Sequence, residues 1–442
     1  MIYFLCNNYT MRILFISNDL IAGNVARILR NDGHDVKIII EEKDRRRNFK
    51  EILNKTSDWR IELNWVGKDG LIIFDDIGYG HDQDRLRKDG YNVFGGSLYG
   101  DLLEQDRVLA QNIFEEYGLK SIPSYNFSSV KKAIHFINKN PKAWVIKQNG
   151  TSSKSINFVG NFKDGSDTID VLRSYSKNNA TKADVITLQE RIVGVEIAAT
   201  RYFNGKNWIG PALINIEHKK LFPGDLGPTT SEMGTLGWYE SKDSKFTKLT
   251  LNRIRPYLQK INYRGVFDIN CIVNKNGCYP LEATSRFGSP IVHLQTELNN
   301  SSWFEILNYT ARGIDFDLKY KKKFGVVVLV AIPPFPFAKK IDEQSQIGTC
   351  LHFNKAISDK EFKRIHFEEI SFDKKRKKYY VSDDRGYLIY ITGTGKKIEF
   401  ARKSTYDLIN KIHIPKMFYR NDIGLKFSND GIFKLKRWGY LK

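Results

Sequence analysis

The chain has 442 residues and a mass of 51.2 kDa, too long for one compact core and enough for about two to four domains. Hydrophobic residues make up 41% and charged residues 27%, which excludes wholesale disorder. The longest apolar run, Val326 to Ile332, is ended by Pro333-Pro334 and falls far short of the roughly 20 residues a membrane span needs. The first residues show no basic stretch leading into a long apolar segment, so no secretory signal and no membrane partner are expected, and a cytoplasmic location is.

Cys6, Cys271, Cys278 and Cys350 show no C-x-x-C spacing, and no histidine pair has the H-E-x-x-H pattern. Reduced thiols are expected, with neither a disulfide framework nor a zinc site. The formal net charge is +20. Residues 321–442 alone carry 27 basic and 13 acidic side chains, a net +14. Such a field draws in nucleotides, phosphorylated metabolites or nucleic acid, but the lysines lack regular spacing and read first as a solvated surface.

In chain order, residues 1–10 precede a second methionine and read as an extension or a misassigned start. Arg12 to Ser17 predicts a first strand, Gly23 to Leu29 a helix and Val36 to Ile40 a buried parallel strand. Leu71 to Phe74 and Tyr91 to Gly95 predict two more. Short strands alternating with helices describe a doubly wound α/β domain over residues 1–103. A helix is expected from about Leu102 to Tyr117, stopped by Gly118, then strands at Trp144 to Lys147 and Asn157 to Gly160. Val195 to Phe203 and Lys206 to Gly210 predict a hairpin about Asn204-Gly205, a pair suited to a type I′ turn. A helix over 246–262 and a second hairpin over 264–285 complete an α+β unit assigned to residues 104–320, with a lid at about 124–195. A small basic strand-rich domain is expected over 321–442.

The second hairpin carries the clearest chemistry. A three-residue loop Lys275-Asn276-Gly277, with Gly277 left-handed, pairs Asn270 with Glu282 and Asp268 with Thr284. All four polar side chains then share one face. Two carboxylates on one face call for a cation between them, and an oxygen-rich set suits Mg²⁺ on a nucleotide phosphate. Lys147 ends an apolar strand and precedes a small-residue loop through Gly150 and Ser153, a pattern that can close over phosphates. Gln189 to Glu196 is an extended stretch whose carboxylates suit an adenine slot and ribose hydroxyls.

The order of these pieces resembles the ATP-grasp superfamily, and within it the phosphoribosylamine–glycine ligases. Glu217-His218-Lys219-Lys220 followed by Asp225-Leu226-Gly227-Pro228-Thr229-Thr230-Ser231-Glu232-Met233-Gly234 is similar to the family's D-H-K-R and D-x-G-P-N-T-G-G-M-G. Glu282 to Pro290, Phe418 to Gly424 and Arg85 to Gly95 resemble further family segments. The resemblance implies ATP-dependent joining of a carboxylate to an amine through an acyl phosphate, with ATP and Mg²⁺ (or Mn²⁺) as cofactors. The implied pair is glycine and 5-phosphoribosylamine, in purine biosynthesis. By this likeness Lys147, Arg107 and Ser153 touch ATP, Glu190 lies at the adenine and Glu196 at the ribose. Glu282 ligates the metal with Thr284, and Arg286 and Asp225 take catalytic places. Lys219, Gly227, Pro228, Thr229, Thr230, Met233 and Gly23 border the substrates.

The sequence also departs from the family. Thr284 stands where the ligases have a metal-binding asparagine, and Asp268 is expected to replace that ligand. The glycine-rich first loop is reduced to Gly23, Asp75 and Asp76 replace part of a G-P-E-x-P-L segment, and Glu232 stands at a glycine. ATP handling reads as kept and the acceptor side as rebuilt. The alternatives are the same chemistry on another amine, such as a modified nucleotide or base, or a catalytically silent ATP-grasp binding or structural protein. Partners are expected to be small molecules (an amino acid and a phosphorylated or nucleoside-like amine), with nucleic acid not favoured and a monomer favoured.

Overall fold

The computed structural model describes residues 10–147, 157–177, 186–240, 244–337 and 345–441. Its first sheet has five parallel strands in the order Asn54–Lys55, Asp35–Ile40, Arg12–Ser17, Leu71–Phe74, Val93–Phe94. Ile13, Phe15, Ile38 and Ile73 pack on one face, and Leu14, Ile16, Ile39, Ile72 and Phe74 on the other. Burial on both faces is what continuous apolar strands require, and it makes this the expected doubly wound unit. The strand order reverses between Arg12–Ser17 and Leu71–Phe74. Ser17 and Asp75 therefore stand at the carboxyl ends of the two strands that flank the switch point, the place where open α/β sheets bind ligands.

A four-stranded antiparallel sheet follows, ordered Ser124–Phe127, Ile186–Glu190, Trp144–Lys147, Phe158–Val159. Trp144, Ile146, Ile186 and Leu188 bury against the helices Val130–Lys139 and Ser166–Lys177. By alternation Lys147, Thr187 and Gln189 face the opposite side.

The third sheet has eight strands and runs on past residue 321: Gly234–Trp238 pairs with Phe324–Val328, which pairs in turn with the strand Tyr387–Gly395. The basic C-terminal portion is thus joined edge to edge with the preceding unit. Among the described residues no helix is long and apolar enough to cross a membrane.

Four local expectations are corrected. The helix expected over Leu102 to Tyr117 is two helices, Leu98–Gln105 and Arg107–Glu116, because Asp106 turns extended and its carboxylate caps Val108 and Leu109. The helix expected over 246–262 is likewise split at Thr250, into Lys245–Leu249 and Leu251–Lys260. Asn204-Gly205 does not form a type I′ turn. Asn204 Oδ1 accepts from the N–H groups of Lys206 and Asn207, at 3.1 and 2.7 Å, and the reversal takes four residues between Phe203 and Trp208. In the second hairpin Asn274 pairs with Gly277, so the loop has two residues and Gly277 is not left-handed. A bulge between Asn270 and Cys271 then restores the register, leaving Asn270 opposite Glu282 and Asp268 opposite Thr284 as expected.

Candidate active site

Four neighbouring strands of the large sheet present one polar face. Asp268 lies between Thr284 and Thr200, Asn270 between Glu282 and Ala198, and Ala198 is also opposite Asn215. Alternation puts Glu196 and Glu217 on the same side. Lys219, two residues beyond the strand Trp208–Glu217, closes the group. Its Nζ lies 2.8 Å from Glu217, 3.3 Å from Glu196 and 3.4 Å from Glu282. Burial works against this charge, but Glu217, Glu282 and Glu196 hold the ammonium well above the usual lysine range.

Two further cations converge on Glu282. Arg107, the first residue of its helix, sits with Nη2 4.0 Å from the Glu282 carboxylate and donates from Nη1 to the Leu281 carbonyl at 3.3 Å. Lys147 reaches the same cluster from the four-stranded sheet. Burial, reinforced by Arg107, pushes its ammonium down to about 8 while Glu282 and Glu196 oppose that shift. Three cations and three carboxylates thus meet where two sheets approach each other.

Beneath this layer lie buried acids. Asp268 accepts from Thr200 Oγ1 and, at 3.2 Å, from Asn215 Nδ2. Burial and then Glu217 raise its carboxyl to about 7. Glu232 is also buried, accepts from Thr235 Oγ1, and is raised well up by burial and by Glu217. Two of the acids that depart from the family pattern, Asp268 and Glu232, are thus both raised by the same neighbour, Glu217.

The donors available to a metal are all oxygens. Asn215 Oδ1 and Asn270 Oδ1 are buried with no hydrogen-bond partner, although the amide nitrogens of both residues bind carboxylates of the cluster. This set fits a hard divalent cation. Among the described residues no three His, Cys, Asp or Glu side chains already surround one metal position. Lys219 holds the carboxylates together instead.

Arg286 is anchored close by. Its Nη2 lies 2.9 Å from Glu104 and its Nε 3.6 Å from Asp76, and it also donates to the Phe287 carbonyl at 2.7 Å. The loop Gly227 to Met233 positions Lys219 through the backbone: Thr230 N and Oγ1 both donate to the Lys219 carbonyl, at 2.7 and 2.8 Å. Gly227, Pro228 and Thr229 lie exposed on the strand Leu226–Thr229, and Met233 is buried. Asp225, at a left-handed φ of 59°, is tied to Arg420 at 3.1 Å and Lys426 at 2.9 Å. It fastens the 418–424 segment and is not in the cluster. Gly23 opens the first helix in the parallel-sheet unit. Glu190 shares the helix-covered face with Leu188 and pairs with Lys142 at 3.2 Å, turned away from Lys147. Ser153 and its loop lie outside the described residues.

Sequence reasoning left Glu217, Asn215, Thr200 and Glu104 without roles. The first three were within reach, because Asn215 and Glu217 alternate along one strand as Asp268 and Asn270 do. Glu104 was not, since its partner Arg286 is 182 residues away.

Two sheets joined across such a cluster define the class: the fold is that of the ATP-grasp ligases, which work with ATP and a divalent metal. Residues 105–292 match the family model described as the phosphoribosylglycinamide synthetase ATP-grasp (A) domain. More particularly, the chain is similar to phosphoribosylamine–glycine ligases along most of its length. The ligase of Fusobacterium nucleatum is 23% identical over 386 residues, 85% of this chain and 86% of that one. That of Methanosarcina barkeri is 24% identical over 357 residues, 77% of each chain. The crystal structure of the Thermotoga maritima ligase superposes with a TM-score of 0.70 at 20% identity, covering 93% of this chain and 100% of that one. A biotin carboxylase from Campylobacter jejuni, solved as a β,γ-ATP complex, gives 0.64 at 12% identity and 98% coverage of both chains.

Proposed function

We propose that this protein is an ATP-dependent ligase that joins an amine to the carboxylate of an amino acid through an acyl phosphate, with glycine and 5-phosphoribosylamine as the first pair to test. The observation that carries the reading is the convergence of Arg107, Lys147 and Lys219 on Glu282. A carboxylate is a poor electrophile, and phosphorylation supplies its leaving group. The protein's part is then positioning and charge neutralisation. Lys147 and Arg107 bind phosphate oxygens of ATP, and Lys219 holds the amino-acid carboxylate. Glu282, with Asp268 and Thr284 beside it, would hold Mg²⁺ or Mn²⁺, which neutralises charge on the transferring phosphoryl group. Arg286, fixed by Glu104, faces the acceptor side.

The test is ADP release from ATP, Mg²⁺ and glycine, with and without phosphoribosylamine generated in the assay. Release that needs both substrates supports the full reading. Release with phosphoribosylamine absent and no increase on adding it removes that acceptor. A second reading, the same chemistry on a different amine, is favoured by one observation: Asp76 lies 3.6 Å from Arg286, on the side where a phosphorylated acceptor would arrive.

A further inference from the structure

The switch point of the parallel sheet opens beside Arg286, and its charges are arranged unlike those around Glu282. Asp19 of the loop 18–22 meets Arg385 of the C-terminal portion there, while Asp75 reaches Ala22 of that loop and Asp76 reaches Arg286. Four arginines stand at this junction, each within 4 Å of at least one carboxylate. Arg45, 1% exposed, lies 2.8 Å from Glu369, 3.0 Å from Glu368, 3.2 Å from Asp19 and 3.7 Å from Asp383. Arg385 pairs with Asp19 at 3.1 Å and with Glu42. Arg286 is held by Glu104 and Asp76. Arg47, 42% exposed, lies 3.7 Å from Asp383 and 3.8 Å from Asp384. Eight carboxylates thus surround four guanidiniums.

A phosphate dianion arriving here must displace a carboxylate from an arginine and then lie beside the carboxylate it displaced. Like charges juxtaposed in a partly buried site work against binding. Asp75 is a second and independent sign. It is wholly buried at the switch point, and its Oδ2 accepts from Ser17 Oγ at 2.7 Å and from Ala22 N at 2.9 Å. Its Oδ1 has no hydrogen-bond partner. Burial and the neighbouring Asp76 push this carboxyl up to about 8. A buried carboxyl that keeps its proton near neutral pH can both donate and accept at Oδ1, as a hydroxyl or amine partner does, while Asp76 and Asp19 beside it repel a phosphate. Hydroxyls of the protein also gather there: Tyr387 and Ser231 are 2.9 Å apart, and Tyr390 and Ser289 are 3.2 Å apart.

We infer that the amine acceptor of this ligase is a hydroxylated amine without a phosphate, in the chemical class of an amino sugar. The inference rests on the ligase reading above. The γ-phosphoryl group of ATP passes to a carboxylate oxygen of the amino acid, and ADP leaves. The amine nitrogen then attacks the carbonyl carbon, the carbon–oxygen bond to phosphate breaks, inorganic phosphate departs with the electron pair, and the ammonium proton passes to solvent.

The experiment uses the full chain with ATP, Mg²⁺ and glycine, and three acceptors. Hydroxylamine comes first, because ATP-dependent glycine hydroxamate reports the acyl phosphate whatever the natural acceptor is. Its absence removes the ligase reading, and the acceptor inference with it. Ribosylamine, formed from ribose and ammonia, is then compared with 5-phosphoribosylamine, formed from ribose 5-phosphate and ammonia. The expected kcat/KM is at least tenfold higher for ribosylamine. Equal or better use of phosphoribosylamine overturns the inference while leaving the ligase, and so does hydroxamate formation with neither ribosyl amine used. Asp19→Asn, at a side chain 41% exposed, frees donors of Arg45 and Arg385 and is expected to narrow the ratio at least threefold. An unchanged ratio counts against the charge argument.

Discussion

The cluster around Glu282 and the junction at the switch point of the parallel sheet are both dense in charge, yet they hold it differently. Around Glu282 the cations include two lysines, and Lys219 is 30% exposed and shared among three carboxylates. Around the switch point they are arginines, and Arg45 is 1% exposed with four carboxylates about it. A lysine ammonium is a compact point charge on a flexible stem, which can leave one carboxylate for another or for a phosphate. A guanidinium fork in a buried set fixes geometry instead. On the proposed reading, exchangeable charge faces the reacting phosphates and locked charge shapes the pocket beyond them.

The largest effects should come from breaking the exchangeable side. Lys147→Ala and Glu282→Gln are expected to lower ADP release by about 10²–10³-fold or more, the range seen when a charge-stabilising contact to a transition state is removed. Circular dichroism and melting temperature should stay near wild type, since neither side chain is part of the hydrophobic core. Turnover within threefold of wild type for either variant would break the assignment of this cluster to ATP.

Breaking the locked side should instead cost stability. Arg45→Met leaves Glu368 and Glu369 buried without their cation, a loss of about 3–5 kcal/mol by denaturant unfolding at pH 8. Burial already raises Glu368 to about 7 and Glu369 to about 8 even with Arg45 present. Without it they take up protons still more readily, so the deficit should shrink at pH 5.5. A deficit that is the same at both pH values would point to lost packing and away from uncompensated charge.

Asp268 lies on the border between the two behaviours, close to Glu282 yet buried. Asp268→Asn is expected to raise the Mg²⁺ concentration for half-maximal turnover about tenfold, as for a supporting metal contact. An unchanged Mg²⁺ dependence would show that Asp268 does not stand in for the asparagine replaced by Thr284.

What the sequence disclosed follows the same division between local and distant. Leu71–Phe74 and Trp144–Lys147 were legible because short apolar runs bounded by polar residues have few other solutions. The pairing of Asp268 with Thr284 was legible from strand alternation, although the loop behind it was misread. A two-residue loop and a bulge displace the register in opposite directions, and neither leaves a mark in the pattern of apolar residues. Asn204 misled for a different reason: its side chain captures two backbone N–H groups and makes a wider turn than Asn-Gly alone suggests. The arginine locks could not be read at all. Arg45 and Glu368 are 323 residues apart, and nothing local in either segment announces the other. The altered first loop and Asp75-Asp76 marked a departure from the family pattern, but only the fold shows that Asp76 lies beside Arg286.

Lys147 and Asp75 sharpen the comparison by their pH behaviour, with smaller effects. Burial holds Lys147 near 8, so in the free protein it loses its proton as pH rises through that value. ADP affinity should fall by about tenfold between pH 7 and pH 9.5, the worth of one charged hydrogen bond to phosphate. Lys147→Arg should retain affinity at the upper end. Asp75 acts in the opposite sense and on stability. Its folded carboxyl titrates near 8 against about 4 when unfolded, so the native state binds the extra proton between those values. Stability contributed by the neutral form is therefore complete below about pH 4 and is lost as pH rises towards 8. Asp75→Asn keeps an acceptor for Ser17 and Ala22 and places an amide N–H where Oδ1 lacks a partner, beside Asp76. It should stabilise the protein more at pH 8.5 than at pH 5, read as a difference in melting temperature of a few degrees. A variant that is equally destabilised at both pH values would mean that Asp75 is ionised and satisfied in the fold, and would remove the unsatisfied acceptor on which the hydroxylated acceptor was partly argued.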